Sequence, residues 1–151
     1  MRTLALRLAF AGLCASLGCG SGEVQESFYV SLQNARDDGA MTRGWVPTFL
    51  PSSAASIHEV HDVGSGASLL FFTFPPGEPG ALVGPCQAVS ESDVPPPPED
   101  LGRTRWWPRD LLANGRGGLR LFRCADEAPA RSGWLAVDVA RGLGYHWRTG
   151  G

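Results

Sequence analysis

The run Leu69-Leu70-Phe71-Phe72-Thr73-Phe74 constrains the fold of this chain more than any other stretch. In an extended strand successive side chains point to opposite faces, so Leu70, Phe72 and Phe74 lie on one side and Leu69 and Phe71 on the other. Both faces are apolar. Such a strand is central in its sheet and covered above and below. Ile57 to Val63 precedes it, and Gly64-Ser65-Gly66 joins the two as a hairpin. Pro75-Pro76-Gly77 ends the second strand.

Further strands are expected at Leu119 to Cys124, Trp134 to Val139 and Gly144 to Arg148. In the middle one Leu135, Val137 and Val139 alternate with Ala136 and Asp138, as in a half-buried antiparallel strand. Two helices are expected. Phe28 to Asp38 places Phe28, Leu32 and Ala35 at helical spacing before Gly39, and a short helical segment is read from Pro79 to Ala88. Trp45-Val46-Pro47-Thr48-Phe49-Leu50-Pro51 is an irregular bridge laid over the core. Ser90 to Asp100, with prolines at 95 to 98, is an extended surface loop. The expected fold class is therefore α+β: a single domain with an antiparallel sheet of about five strands, an N-terminal helix, a second short helix and one disulfide.

The first residues carry an address. Arg2 and Arg7, the apolar run Leu8 to Leu17, and small residues before Cys19 read as a signal peptide over residues 1–18, too short to span a bilayer as a helix. Gly12 to Cys19 resembles the lipobox of bacterial lipoproteins, with Ser16 where leucine is usual. Lipidation at Cys19 is expected, and ordinary cleavage after Gly18 is the alternative. Residues 19–26 then form a lipid-anchored tether and residues 27–151 one globular domain. Gly20 after the cysteine suits an outer-membrane destination. The expected setting is the bacterial cell envelope, with the membrane engaged through the N-terminal lipid.

Four cysteines are present. With Cys14 lost in the signal and Cys19 acylated, Cys86 and Cys124 remain, an even number in an oxidising compartment, and a disulfide between them is expected. Two free buried thiols are the alternative. Removal of Arg2 and Arg7 leaves 11 basic against 15 acidic residues, a formal charge of −4. This mild acidity argues against nucleic acid as a partner. All basic residues are arginine, which excludes a catalytic lysine.

Several of these segments together, DGAMTRGWVPTFLPSSAASIHEVHD, the WWP motif and the ending LAVDVARGLGYHWR, resemble a family of small uncharacterised bacterial secreted lipoproteins. The resemblance implies a secreted single-domain α+β design and carries over no catalytic residue.

Chemistry-bearing clusters are few. His58-Glu59-Val60-His61-Asp62 lacks the metalloprotease spacing, and on a strand His58 and His61 point to opposite faces, so no metal is expected there. It reads as a solvated hairpin edge. His146 has no nucleophile at a recognised spacing, and Asn114 to Gly118 reads as a turn. No catalytic residue and no cofactor are assigned. The richest cluster is Arg103, Arg105, Trp106, Trp107 and Arg109, which with Trp45 forms a candidate binding surface for an envelope protein or glycan. The competing reading packs the tryptophans under a loop. The sequence thus favours a non-catalytic recognition module, with an extracytoplasmic hydrolase using His58 to Asp62 and Asp110 or His146 as the alternative.

Overall fold

The computed structural model describes residues 23–78, 84–113, 118–125 and 132–151. The signal peptide, Cys19 and the Asn114 to Gly117 part of the predicted turn lie outside them. Seven strands form one sheet: β1 (Val24–Ser31), β2 (Ala55–Asp62), β3 (Ser68–Thr73), β4 (Cys86–Ala88), β5 (Leu119–Ala125), β6 (Ser132–Asp138) and β7 (Leu143–Arg148). Their order across the sheet is β1-β2-β3-β7-β6-β5-β4, and every pairing is antiparallel.

The α+β expectation is corrected: among the described residues the only helices are α1 (Leu32–Asp37) and a 3₁₀ turn at Glu91–Asp93. The first half of the predicted N-terminal helix is strand. Phe28 and Leu32 are compatible with helical spacing, but residues 24–31 also alternate between more and less exposed positions and pair along their length with β2. Main-chain pairing at seven of its eight residues outweighs a weak local preference. Ser31 then accepts a hydrogen bond from the Asn34 N–H and starts α1. Val24 to Glu26, expected in the tether, belong to this strand. The second expected helix is also absent where it is described: Cys86–Ala88 is a strand, and residues 79–83 lie outside the described residues.

As its composition requires, β3 is covered on both sides. On one face Tyr29, Ile57, Leu70, Phe72, Leu135 and Phe122 pack beneath α1 and the bridge, through Ala40, Val46, Leu50 and Ala54. On the other, Val60, Leu69, Tyr145 and Trp147 pack beneath the segment carrying Leu101, Trp107 and Leu111. These are called here the bridge face and the tryptophan face. Phe72 fits because its partner on β7 is Gly144, where a Cβ would lie 2.2 Å from the ring.

Cys86 and Cys124 are bonded, facing each other across β4 and β5 with Cα atoms 4.1 Å apart. The bond staples a three-residue edge strand that is otherwise paired only to β5 among the described strands. With 38 residues of separation, its loss is expected to cost about 4 kcal/mol by the chain-entropy relation. Urea unfolding of the oxidised chain against Cys86→Ala/Cys124→Ala measures it.

Candidate functional site

Two regions collect polar chemistry, one on each face of the sheet. On the bridge face β2 presents Glu59 and His61, β3 presents Ser68, and β7 presents His146 and Arg148, all buried. Glu59 is fully buried, and its Oε1 lies 2.8 Å from His61 Nδ1. The bridge closes over them. Trp45 stacks on the His61 imidazole at 4.5 Å, Arg43 lies over the indole at 4.0 Å, and Phe49 meets His146 edge-on at 5.5 Å. Arg148 ties cover to sheet, donating from Nε to Ser68 Oγ at 2.9 Å and from Nη2 to the Gly44 carbonyl at 2.7 Å.

Burial dominates the electrostatics here. It pushes the Glu59 carboxyl up to about 8, against the pull of Arg148 and Arg43. It holds His61 below the ordinary imidazole range, with Arg148 and Arg43 acting in the same direction. His146, also buried, is lowered to about 3. At neutral pH the carboxyl–imidazole pair therefore carries no net charge. Glu59 Oε2 and His61 Nε2 are buried without a protein partner. Such a pair can store a proton, but Trp45 lies over its imidazole and its carboxyl has no exposed surface.

The expectation of a solvated hairpin edge at His58 to Asp62 is thus corrected, because β1 pairs outside β2 and moves this strand inward. His58 and His61 do face opposite sides. His58 stacks on Trp106 at 5.5 Å and meets Phe28 at a tilt at 4.6 Å on the tryptophan face. His146 shares the bridge face with Glu59 but two strands away, since Leu70 pairs with both. Asp110 belongs to the opposite cover, lining its pocket. The residues of the hydrolase alternative are not gathered at one place.

On the tryptophan face the WWP segment divides by role. Trp107 is core, 5 % exposed, with its ring edge-on to Tyr145 at 5.8 Å and Trp147 at 6.3 Å. Trp106 is half-buried, and its indole N–H donates to Glu26 Oε1 at 2.6 Å. Trp45 lies beyond the sheet on the bridge face, so the three tryptophans form no common surface. Arg103, Arg105 and Arg109 are exposed. Between the proline loop and the WWP segment opens a pocket of about 540 Å³, walled by Pro96 to Pro98, Leu111 and Leu112, with Trp107 in its lining. Arg103 and Arg109 line it; Arg105 and Trp106 do not. The loop is held by Trp147, whose indole N–H donates to the Pro95 carbonyl at 3.1 Å.

The sequence singled out Arg103, Trp107 and Arg109 by composition. It did not single out Arg148, whose strand position is apolar in pattern, nor Pro96 to Pro98 and Leu111 as pocket walls. Alternation along β7 puts Arg148 on the same face as His146, and that was the available signal.

A carboxyl whose native pKa lies above its unfolded value holds a proton the unfolded chain has released, so the stability it contributes is lost as pH rises towards 8. His61 and His146, shifted the other way, oppose it only below about 6.5. Between pH 6.5 and 8 stability should fall, by at most about 1.4 kcal/mol per pH unit for one proton, and Glu59→Gln should flatten that slope in urea titrations. Trp107→Ala should cost about 3–5 kcal/mol as a core truncation, whereas exposed Arg109→Ala should change thermal stability little.

Residues 23–73, about a third of the chain, match the sequence profile of the YbbD head domain. The matched stretch runs from β1 through the bridge to β3, and so includes Trp45, Glu59 and His61 but neither β7 nor the tryptophan-face pocket. No curated protein and no solved structure matched the chain. The likeness suggests a domain of the cell envelope, outside the cytoplasm, and the Cys86–Cys124 disulfide agrees with an oxidising compartment. Among the described residues no helix is long and apolar enough to cross a membrane.

Proposed function

We propose that this chain is a non-catalytic recognition module of the bacterial cell envelope, anchored at the outer membrane by lipid on Cys19, that takes a segment of a partner protein into the tryptophan-face pocket. The observation that carries this reading is the pocket itself: a mostly apolar concavity of about 540 Å³ with Arg103, Arg109, Glu99 and Asp110 in its lining. That size falls in the range of ligand sites, and apolar walls with a few charged groups are what such sites are made of. Prolines 96 to 98 are an inexpensive wall, since their backbone is already restricted and loses little entropy when a ligand settles against it.

The lining favours a protein side chain over a sugar ring. A sugar platform needs an open aromatic face, and Trp107 is buried, its ring occupied by Tyr145 and Trp147. Proline and leucine walls suit an aliphatic or aromatic side chain instead, and Arg103 and Arg109 with Glu99 and Asp110 in the same lining supply charged groups of both signs for the polar groups beside it. On the hydrolase alternative, the Glu59–His61 pair is the strongest acid–base couple on the bridge face, and it lies closed beneath Trp45.

Photo-crosslinking in living cells from a probe at Ala113, which lines the pocket and is exposed, tests the proposal. A discrete protein adduct that disappears with Arg103→Ala/Arg109→Ala, at unchanged thermal stability, is expected. A glycan adduct alone, or none, would overturn it.

A further inference from the structure

The two edges of the sheet are treated very differently. At one edge β4 is three residues long and stapled to β5 by the disulfide. At the other, β1 is eight residues long, and no described strand pairs with its outer side. Natural edges of that length usually carry charge, proline or a bulge against association. Here Val24, Phe28 and Val30 are 57, 54 and 68 % exposed, and Glu26 is the only charge among them.

Val63 N–H donates to the Glu23 carbonyl, so Glu23 and Val63 are a hydrogen-bonded pair. In an antiparallel ladder bonding alternates, so Gln25, Ser27, Tyr29 and Ser31 bond inward to β2. The N–H and C=O groups of Val24, Glu26, Phe28 and Val30 therefore point out at the open edge, and the same four residues place their side chains on the tryptophan face.

We propose that a second copy of this chain occupies that edge, β1 pairing with β1 of its partner antiparallel about a two-fold axis at Ser27. This register sets Val24 opposite Val30, Glu26 opposite Phe28, and their symmetry mates likewise. All four outward residues then form hydrogen-bonded pairs, giving about eight main-chain bonds. A shift of the axis to position 26 would oppose Glu26 to its own copy. A shift to position 28 would set Val24 against Leu32, which has left the strand for α1. The register at Ser27 alone uses the whole strand without opposing like charges, and it joins exposed valines in pairs. The occupant is a copy of the same chain because the edge is complementary to itself.

The axis gives a direct test. Ser27 and its mate form a non-hydrogen-bonded pair with Cα atoms about 4.5 Å apart, within disulfide reach. Ser27→Cys in the full chain, oxidised in the envelope and run without reductant, should give a dimer well above the wild-type level. Gln25→Cys, which faces Tyr29 of the other copy, should crosslink at least about tenfold less. In sedimentation, Val24→Lys/Val30→Lys and Val24→Glu/Val30→Glu should each be monomeric, and their mixture should form a heterodimer. These positions are exposed, and near-ultraviolet circular dichroism checks that the fold is kept. Equal crosslinking at 25 and 27, a Ser27→Cys adduct to a different protein, or a wild-type monomer at all concentrations with no Ser27→Cys dimer would each overturn the proposal.

Discussion

Everything in this fold depends on one inner strand, β3, whose leucine and phenylalanine side chains must be buried on both faces of the sheet. Leu69, Leu70 and Phe72 of β3 are at most 1 % exposed, although they point in opposite directions. Burying only one side would leave a row of leucine and aromatic groups in water, at about 25 cal/mol for each Å² left exposed. Among the described residues only α1 and one 3₁₀ turn are helical, too little to cover either face. The domain uses irregular chain instead, the bridge on one face and the proline loop with the WWP segment on the other, and prolines make such covers affordable because they enter the folded state already restricted.

Irregular covers need anchors, since loops lack the internal ladder that holds a helix or sheet. Each cover here is tied by side chains reaching out of β7. Arg148 donates to the Gly44 carbonyl of the bridge, and Trp147, the next residue back and on the other face, donates to the Pro95 carbonyl of the proline loop. One strand thus fixes both covers, and Arg148 ties the bridge from among the buried polar groups Ser68, Glu59, His61 and His146. The Arg148 charge in turn favours an ionised Glu59, but burial outweighs it and the carboxyl keeps its proton at neutral pH. The bridge face is therefore a closed, proton-holding interior, while the tryptophan face has the open pocket. Their separation by a full sheet divides structural polar groups from those available to a ligand.

Parts of this were legible in the sequence for clear reasons. The β2–β3 hairpin is legible from strand-forming residues around Gly64-Ser65-Gly66, β3 from its two apolar faces, β6 from period-two alternation, and the disulfide from counting cysteines in an oxidising setting. Of the helix expected over Phe28 to Asp38 only Leu32–Asp37 is helical, because apolar residues at helical spacing also fit a strand with one exposed face, and pairing with β2 decides for Phe28 to Ser31. Cys86 to Ala88 is too short for any periodicity to speak. The site was half legible: arginine and tryptophan clustering identified Arg103, Trp107 and Arg109, but composition does not tell a core tryptophan from a surface one.

By itself the sequence determined that a doubly buried antiparallel strand lies at the centre, where the hairpin turns, and that His58 and His61 part to opposite faces, because these follow from local alternation along one strand. Tertiary structure alone decided that β1 flanks β2 and so buries Glu59 and His61, that Trp45 lies a sheet's thickness from Trp106 and Trp107, and that prolines and leucines from separate segments enclose a pocket. Those are matters of which segments meet, and contacts between residues distant in the chain leave no periodic trace in it.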